Sequence, residues 1–219
     1  MGISVLVADQ ERTFADALAA RLEAENDIRV VGAVQMKMPR PYLVAPISAD
    51  VLLLDGDLPD EAANRLCEKL SGRDARILVI MLTSFSGPTR ILQAIRAGAA
   101  AWVRKDESVE HLLRVIRGVA QGETWLPPAE TGNVVRLLLW ERERHRESER
   151  LLALLTPRER AVLACLAEGG SRDVVAEQLH MSVNTVRTHL QNLMAKLGVH
   201  SALEAVGLTR DPEDRLSAT

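Results

Sequence analysis

Polar residues follow four separate apolar runs in this chain of 219 residues. Asp9 follows the run at 3–8, Asp55 the run at 51–54, Thr83 and Ser84 the run at 77–82, and Lys105 the run at 101–103. The second of these endings is unusual. The stretch VLLLDGDLP passes from four apolar residues straight into two carboxylates, Asp55 and Asp57. Two or three carboxylates with a lysine and a hydroxyl can hold a divalent cation and accept a phosphoryl group. The metal neutralises phosphate charge, one carboxylate attacks, and Lys and Thr contact the new phosphoryl oxygens. A lone aspartate would be a weak signal; Asp, Asp, Thr and Lys at four successive run ends are a strong one. Asp9, Asp55 and Asp57 are the candidate metal ligands.

A second constellation lies between residues 182 and 197. Val183, Val186, Leu190, Leu193, Met194 and Leu197 form an apolar stripe at helical spacing. The opposite edge carries Asn184, Arg187, Thr188, Gln191 and Asn192. Arg can pair with guanine, Asn or Gln with adenine, and Thr can contact a thymine methyl.

The elements that must position these groups differ in kind. Up to about residue 127, short β-rich runs alternate with helical patterns, which predicts a parallel sheet with helices on both faces. Ligands of such sheets sit beyond the carboxyl ends of the strands, so Asp9, Asp55, Thr83 and Lys105 are expected to meet at one edge. Pro39, Pro41 and Pro46 fall where a helix should lie between the second and third strands. Proline inside a helix costs ~3 kcal/mol, so that helix is expected to be short, displaced or absent. Residues 128–153 hold ERERHRESER, whose signs cancel, and predict a solvated helical linker. From 154 onward the pattern is helical. Thr156-Pro157-Arg158-Glu159 is a capping box with Pro at the first position, and Ser171, Ser182 and Ser201 are the following start signals. Two capped helices around the turn at 179–182 describe a helix-turn-helix, whose second helix would enter the major groove.

Composition narrows the function. The net charge of −3 argues against coating nucleic acid by bulk electrostatics. Residues 154–210 hold one more base than acid, so one copy should bind DNA weakly, since affinity tracks the phosphates neutralised. A homodimer on two half-sites is expected, with Leu203, Val206 and Leu208 as a candidate contact face or else as closure of the helical core. Cys67 and Cys165 read as small buried side chains. No apolar run approaches a membrane span, and MGISVLVADQ lacks a signal-like segment; a cytoplasmic protein without a membrane partner is expected. No phosphate-cradling glycine loop supports an enzyme.

The run-end residues resemble the receiver domain of two-component response regulators, over about residues 1–127. The resemblance implies that Asp55 is the phospho-acceptor, Thr83 the switch hydroxyl, Lys105 the phosphoryl-contacting lysine and Trp102 the switch aromatic. It also implies Mg2+ as cofactor and a sensor histidine kinase as partner. LTPRERAVLACLAEG and NTVRTHLQNLMAKLGVHSALEAV are similar to the LuxR/NarL/FixJ-type DNA-binding domain, over 154–219. Carried over, this implies base contacts by Arg187, Thr188 and Gln191, with Asn184 on the same edge, and phosphate contacts by Thr185 and Lys196, all to double-stranded DNA. The fold expected is an α/β flavodoxin-like receiver, with a doubly wound five-stranded parallel sheet, followed by an all-α four-helix helix-turn-helix domain.

Three departures matter. Receivers usually carry two adjacent acids after the first strand; here the pair is Asp9-Gln10, and the neutral amide of Gln10 weakens the magnesium site. Asp60 and Ala63 stand where glycines are common. His180 replaces the usual turn glycine, where a side chain brings strain. Two readings stay open: a receiver phosphorylated on Asp55, or a degenerate receiver that works without phosphorylation, being constitutively dimeric or answering to a small ligand.

Overall fold

Five apolar runs pair into one parallel sheet: β1 (Ile3–Asp9), β2 (Ile28–Gln35), β3 (Val51–Asp55), β4 (Leu78–Thr83) and β5 (Ala101–Arg104), in the order β2-β1-β3-β4-β5. The computed structural model describes residues 2–36, 49–59, 61–71 and 77–209. The prolines at 39–46 and Asp60 lie outside the described residues. The chain divides into two units between Leu137 and Leu138.

In the first unit β3 is central and every one of its residues is buried. A strand covered on both faces needs an unbroken apolar run rather than alternation, and VLLL supplies it. Alternate residues feed two cores. Leu52, Leu54, Met81 and Trp102 pack with α2 (Ala62–Leu70) and α3 (Pro88–Arg96). Val51, Leu53, Ile80 and Val103 pack with α1 (Arg12–Leu22) and α4 (Val109–Ala120). The register aligns Asp55 with Leu82 and Thr83 with Arg104, so the strands end nearly level. Gly56 follows β3 because its N–H donates to the Leu82 carbonyl at 2.6 Å, and a Cβ there would meet the same oxygen at 3.2 Å. The helix α5 runs Pro128–Ala153. Its first part is not simply a solvated linker, because Val134 is buried in the core that contains Trp102.

In the second unit α6 (Pro157–Ala167), α7 (Arg172–Gln178), α8 (Val183–Leu197) and α9 (Ala202–Thr209) enclose a core of Val162, Leu163, Val175, Val186, Leu190 and Leu193, among others. Each helix begins at a hydroxyl that accepts a backbone N–H: Thr156 from Glu159, Ser171 from Val174, Ser182 from Thr185 and Ser201 from Glu204. Such caps satisfy otherwise orphaned donors. His180, in the α7–α8 turn, sits at φ 52, the left-handed region expected to strain a side chain.

The core differs from expectation at three places. Val183, the first residue of α8, is 44% exposed and not part of the buried stripe. In the proposed contact face Val206 is buried and Leu208 packs on the core, which leaves Leu203 alone at 77% exposure. Cys67 is buried as expected, but Cys165 is only half-buried.

Candidate functional site

The level strand ends bring Asp9, Asp55, Thr83 and Lys105 to one edge of the sheet. Asp55 is fully buried. Its Oδ1 accepts from the Asp57 N–H at 3.0 Å and lies 3.0 Å from Lys105 Nζ; its Oδ2 accepts a longer bond, 3.3 Å, from the Gln10 N–H. Asp9 accepts from the Glu11 N–H at 2.8 Å through Oδ1. Its Oδ2 lies 2.7 Å from the same Lys105 ammonium, at an angle poor for a hydrogen bond. One ammonium therefore serves two buried carboxylates. Burial pushes the Asp9 carboxyl above its usual range, although Lys105 and the Glu11 N–H pull the other way. Burial also opposes the Lys105 charge, but the pull of the Asp9 and Asp55 carboxylates outweighs that, and its pKa is raised. The Phe14 ring, 5.0 Å from Lys105 Nζ, adds a cation–π contact.

Asp57 does not join this cluster. Its Oδ1 accepts from the Thr83 hydroxyl at 2.5 Å and its Oδ2 from the Ser84 N–H at 2.6 Å, while Arg90 Nη1 stands 3.7 Å away. The Thr83 oxygen also lies 3.0 Å from the Phe85 carbonyl. A hydroxyl has one proton, and a charged acceptor at the shorter distance takes it. The two oxygens of Asp57, expected as a metal ligand, thus answer donors at the end of β4. Among the described residues no three acidic, His or Cys side chains converge as a metal site. Asp9 and Asp55, both buried and facing one cation, fit a divalent ion in chemistry. Gln10 is exposed, and the bonds it makes run through its backbone: the N–H to Asp55, and the carbonyl to Gln35 Nε2 at 3.2 Å. Trp102 is 5% exposed, and its Nε1–H has no hydrogen-bond partner among the described residues. Arg90 was not anticipated, and Ser84 was read only as a polar residue at the run end. Gly87-Pro88 marks the start of α3, and that signal would have placed Arg90 in the first turn beside the β4 end.

On α8, Asn184, Thr185, Arg187, Thr188 and Gln191 are all exposed, opposite the buried Val186, Leu190 and Leu193. Thr185 shares a 2.8 Å hydrogen bond with the Ser182 hydroxyl, and the Thr188 hydroxyl donates back to the Asn184 carbonyl at 3.1 Å. The methyl of Thr188 is left as its outward-facing group. Lys196, expected at phosphate, has a partner within the fold. Its Nζ lies 2.7 Å from Glu159 Oε2. Glu159 is 3% exposed and closes the Thr156 capping box, so its charge requires a nearby cation. The Lys196 ammonium, then the Thr156 N–H, holds the Glu159 pKa down at about 2.

A carboxylate pocket at the edge of a parallel sheet and a helix-turn-helix module in one chain define a response regulator that acts on transcription. Comparison with known proteins agrees. The description "Response regulator receiver domain" matches residues 5–117, and "Bacterial regulatory proteins, luxR family" matches 153–209. The transcriptional regulatory protein LiaR of Bacillus subtilis strain 168 is 32% identical over 207 residues, 93% of this chain and 94% of LiaR. The response regulator protein VraR of Staphylococcus aureus strain Mu3 is 27% identical over 94% of this chain and 95% of VraR. The crystal structure of the response regulator ChrA, of a heme-sensing two-component system, superposes with TM-score 0.51 at 25% identity, covering 98% of each chain. The chain belongs to the response regulators that join a receiver to a LuxR-type DNA-binding domain, and it is a transcriptional regulator. No helix among the described residues is long and apolar enough to cross a membrane.

Proposed function

We propose that the first unit governs when α8 may read duplex DNA, and that Asp55 is the residue on which a phosphoryl group is placed. The observation that carries this reading is the buried Asp55 carboxylate held at 3.0 Å from Lys105. The Asp55 oxygen attacks the phosphorus of a donor such as a phosphorylated histidine kinase. The new O–P bond forms as the donor's bond to phosphorus breaks, and the donor leaves with the electron pair. Lys105 neutralises the transferred oxygens, and the Thr83 hydroxyl turns toward them. Mg2+, held by Asp9 and Asp55, would supply further neutralisation; Gln10 contributes no charge to it. A small phosphodonor with magnesium, followed by intact mass, tests this: one added phosphoryl group on the wild type and none on Asp55→Asn. No gain on the wild type overturns it.

A second reading is control without phosphorylation. It is favoured by one observation: the Asp57 carboxylate already occupies the Thr83 hydroxyl and the Ser84 N–H. An internal anion then does for Thr83 what a phosphoryl group would do. Under this reading Asp55→Asn binds DNA as the wild type does.

For DNA, Arg187 and Gln191 read base edges, Asn184 and the Thr188 methyl support them, and Thr185 lies toward the phosphates. Val183, exposed beside them, offers a further contact to a thymine methyl. Two copies bind half-sites about 34 Å apart, one turn of duplex. Selection from random duplexes tests this part; an enriched two-part motif is expected, and none would point to a protein partner instead.

A further inference from the structure

A cavity of about 280 Å³ opens in the first unit between the β3–α2 loop and α3. Its size is at the lower end of the ~300–1,000 Å³ typical of small-molecule sites, enough for one substituted ring. The apolar wall includes Leu58, Met81 and Trp102. The Trp102 Nε1–H is closed off from solvent-sized space, so Trp102 offers the cavity its ring and not a donor. The polar wall is made by Asn64, Gln93 and Arg90, with Asp57 at the sheet edge. Asn and Gln amides both donate and accept.

Charge decides the class of occupant. Among the described lining residues, Asp57 and Glu61 stand against the guanidinium of Arg90, so negative charge is in excess and an anion is disfavoured. Arg90 is itself engaged, 3.7 Å from Asp57 Oδ1 and over the Phe85 ring at 5.4 Å. What fits is flat, uncharged and equipped with a carbonyl for the side-chain amides of Asn64 and Gln93 and an N–H for the carboxylate side.

We propose that this cavity is a ligand site for a small planar molecule bearing an uncharged amide, and that its occupancy is sensed at Thr83. The coupling runs through Asp57, which lines the cavity and also holds the Thr83 hydroxyl. A ligand N–H that donates to Asp57 competes with Thr83 for the same oxygen. A ligand shifts an equilibrium only by binding one state better than the other, and this competition supplies the difference. The proposal deepens the reading of control without phosphorylation and rests on it for its effect on DNA, but not for binding itself.

The test uses the ¹⁵N-labelled full chain and its tryptophan indole N–H resonances, with that of Trp102 assigned by its loss in Trp102→Phe. Nicotinamide and nicotinate, nearly isosteric but neutral and anionic, are the probes. Molecules this small bind with dissociation constants of about 1 mM. Nicotinamide should move the Trp102 resonance saturably, leaving Trp125 and Trp140 in place; nicotinate should not, and Gln93→Leu should abolish the shift. No saturable shift, the same shift with nicotinate, or equal shifts at all three tryptophans overturns the site. A saturable shift at Trp102 that leaves the Thr83 methyl resonance unmoved overturns the coupling alone. Loss of DNA binding in Asp55→Asn, with nicotinamide binding intact, overturns the underlying reading and leaves the site standing.

Discussion

The Thr83 hydroxyl donates to the Asp57 carboxylate across 2.5 Å, while the Lys105 ammonium pairs with Asp9 and Asp55. The side chains at the sheet edge thus form two networks: Asp9, Asp55 and Lys105 in one, Asp57, Thr83 and Arg90, with the Ser84 N–H, in the other. They meet through main chain, where the Asp57 N–H donates to Asp55 and the Lys105 N–H donates to the Thr83 carbonyl.

Asp57→Ala should release Thr83 and the Ser84 N–H. Losing a charged acceptor for two donors is expected to lower stability by about 1–3 kcal/mol, read by urea unfolding. The freed hydroxyl should also speed phosphoryl uptake on Asp55 from a small donor, read by intact mass over time. An unchanged rate would mean that the Thr83–Asp57 bond does not restrain the switch.

Lys105→Met should leave two buried carboxylates without their cation. Removing one partner of a buried ion pair costs roughly 3–5 kcal/mol, with the lower end expected because the Lys105 side chain keeps 13% exposure. The double change with Asp9→Asn should recover part of that loss. A double variant no more stable than the single would show that Asp9 carries little of the burden.

Glu159 makes stability depend on acid. Its folded pKa of about 2 lies below the ordinary 4.5, so the unfolded chain binds the proton first as pH falls. The stabilisation is complete above 4.5 and is lost between there and about 2. Thermal melts of wild type and Glu159→Gln should therefore differ most near neutrality and converge in that window. A constant difference across it would refute the Lys196 pairing as the cause.

Arg187→Ala and Gln191→Ala should each cost about 1–3 kcal/mol on the selected sequence and relax preference at one base pair. Lys196→Met should behave differently. Because its ammonium serves Glu159, the melting temperature should fall while the salt dependence of DNA binding holds. A slope reduced by about one would restore Lys196 to the phosphates.

Much of this could be read from residue order. Unbroken VLLL foretold a strand covered on both sides, and run ends at 9, 55, 83 and 105 foretold one shared edge, because strand polarity in a parallel sheet leaves little choice. The serine and threonine caps were equally plain, being local. What escaped depended on side-chain direction or distant partners. Asp57 follows Asp55 by two residues, yet its rotamer is chosen by donors on β4. Lys196 looked free because Glu159 is 37 positions away in the chain. Val183 kept helical phase with the stripe, but phase alone does not bury a residue. The Trp102 N–H, unpartnered among the described residues, has no signature in the order of residues.

The close approach of Gly56 to the Leu82 carbonyl carries a mechanical consequence. The loop bearing Asp57 and the loop bearing Ser84 are stitched together by main chain, so a push on either is delivered to the other. Mutation can strip the side chains that sense an occupant, but it leaves this seam in place, and the two loops travel as one part.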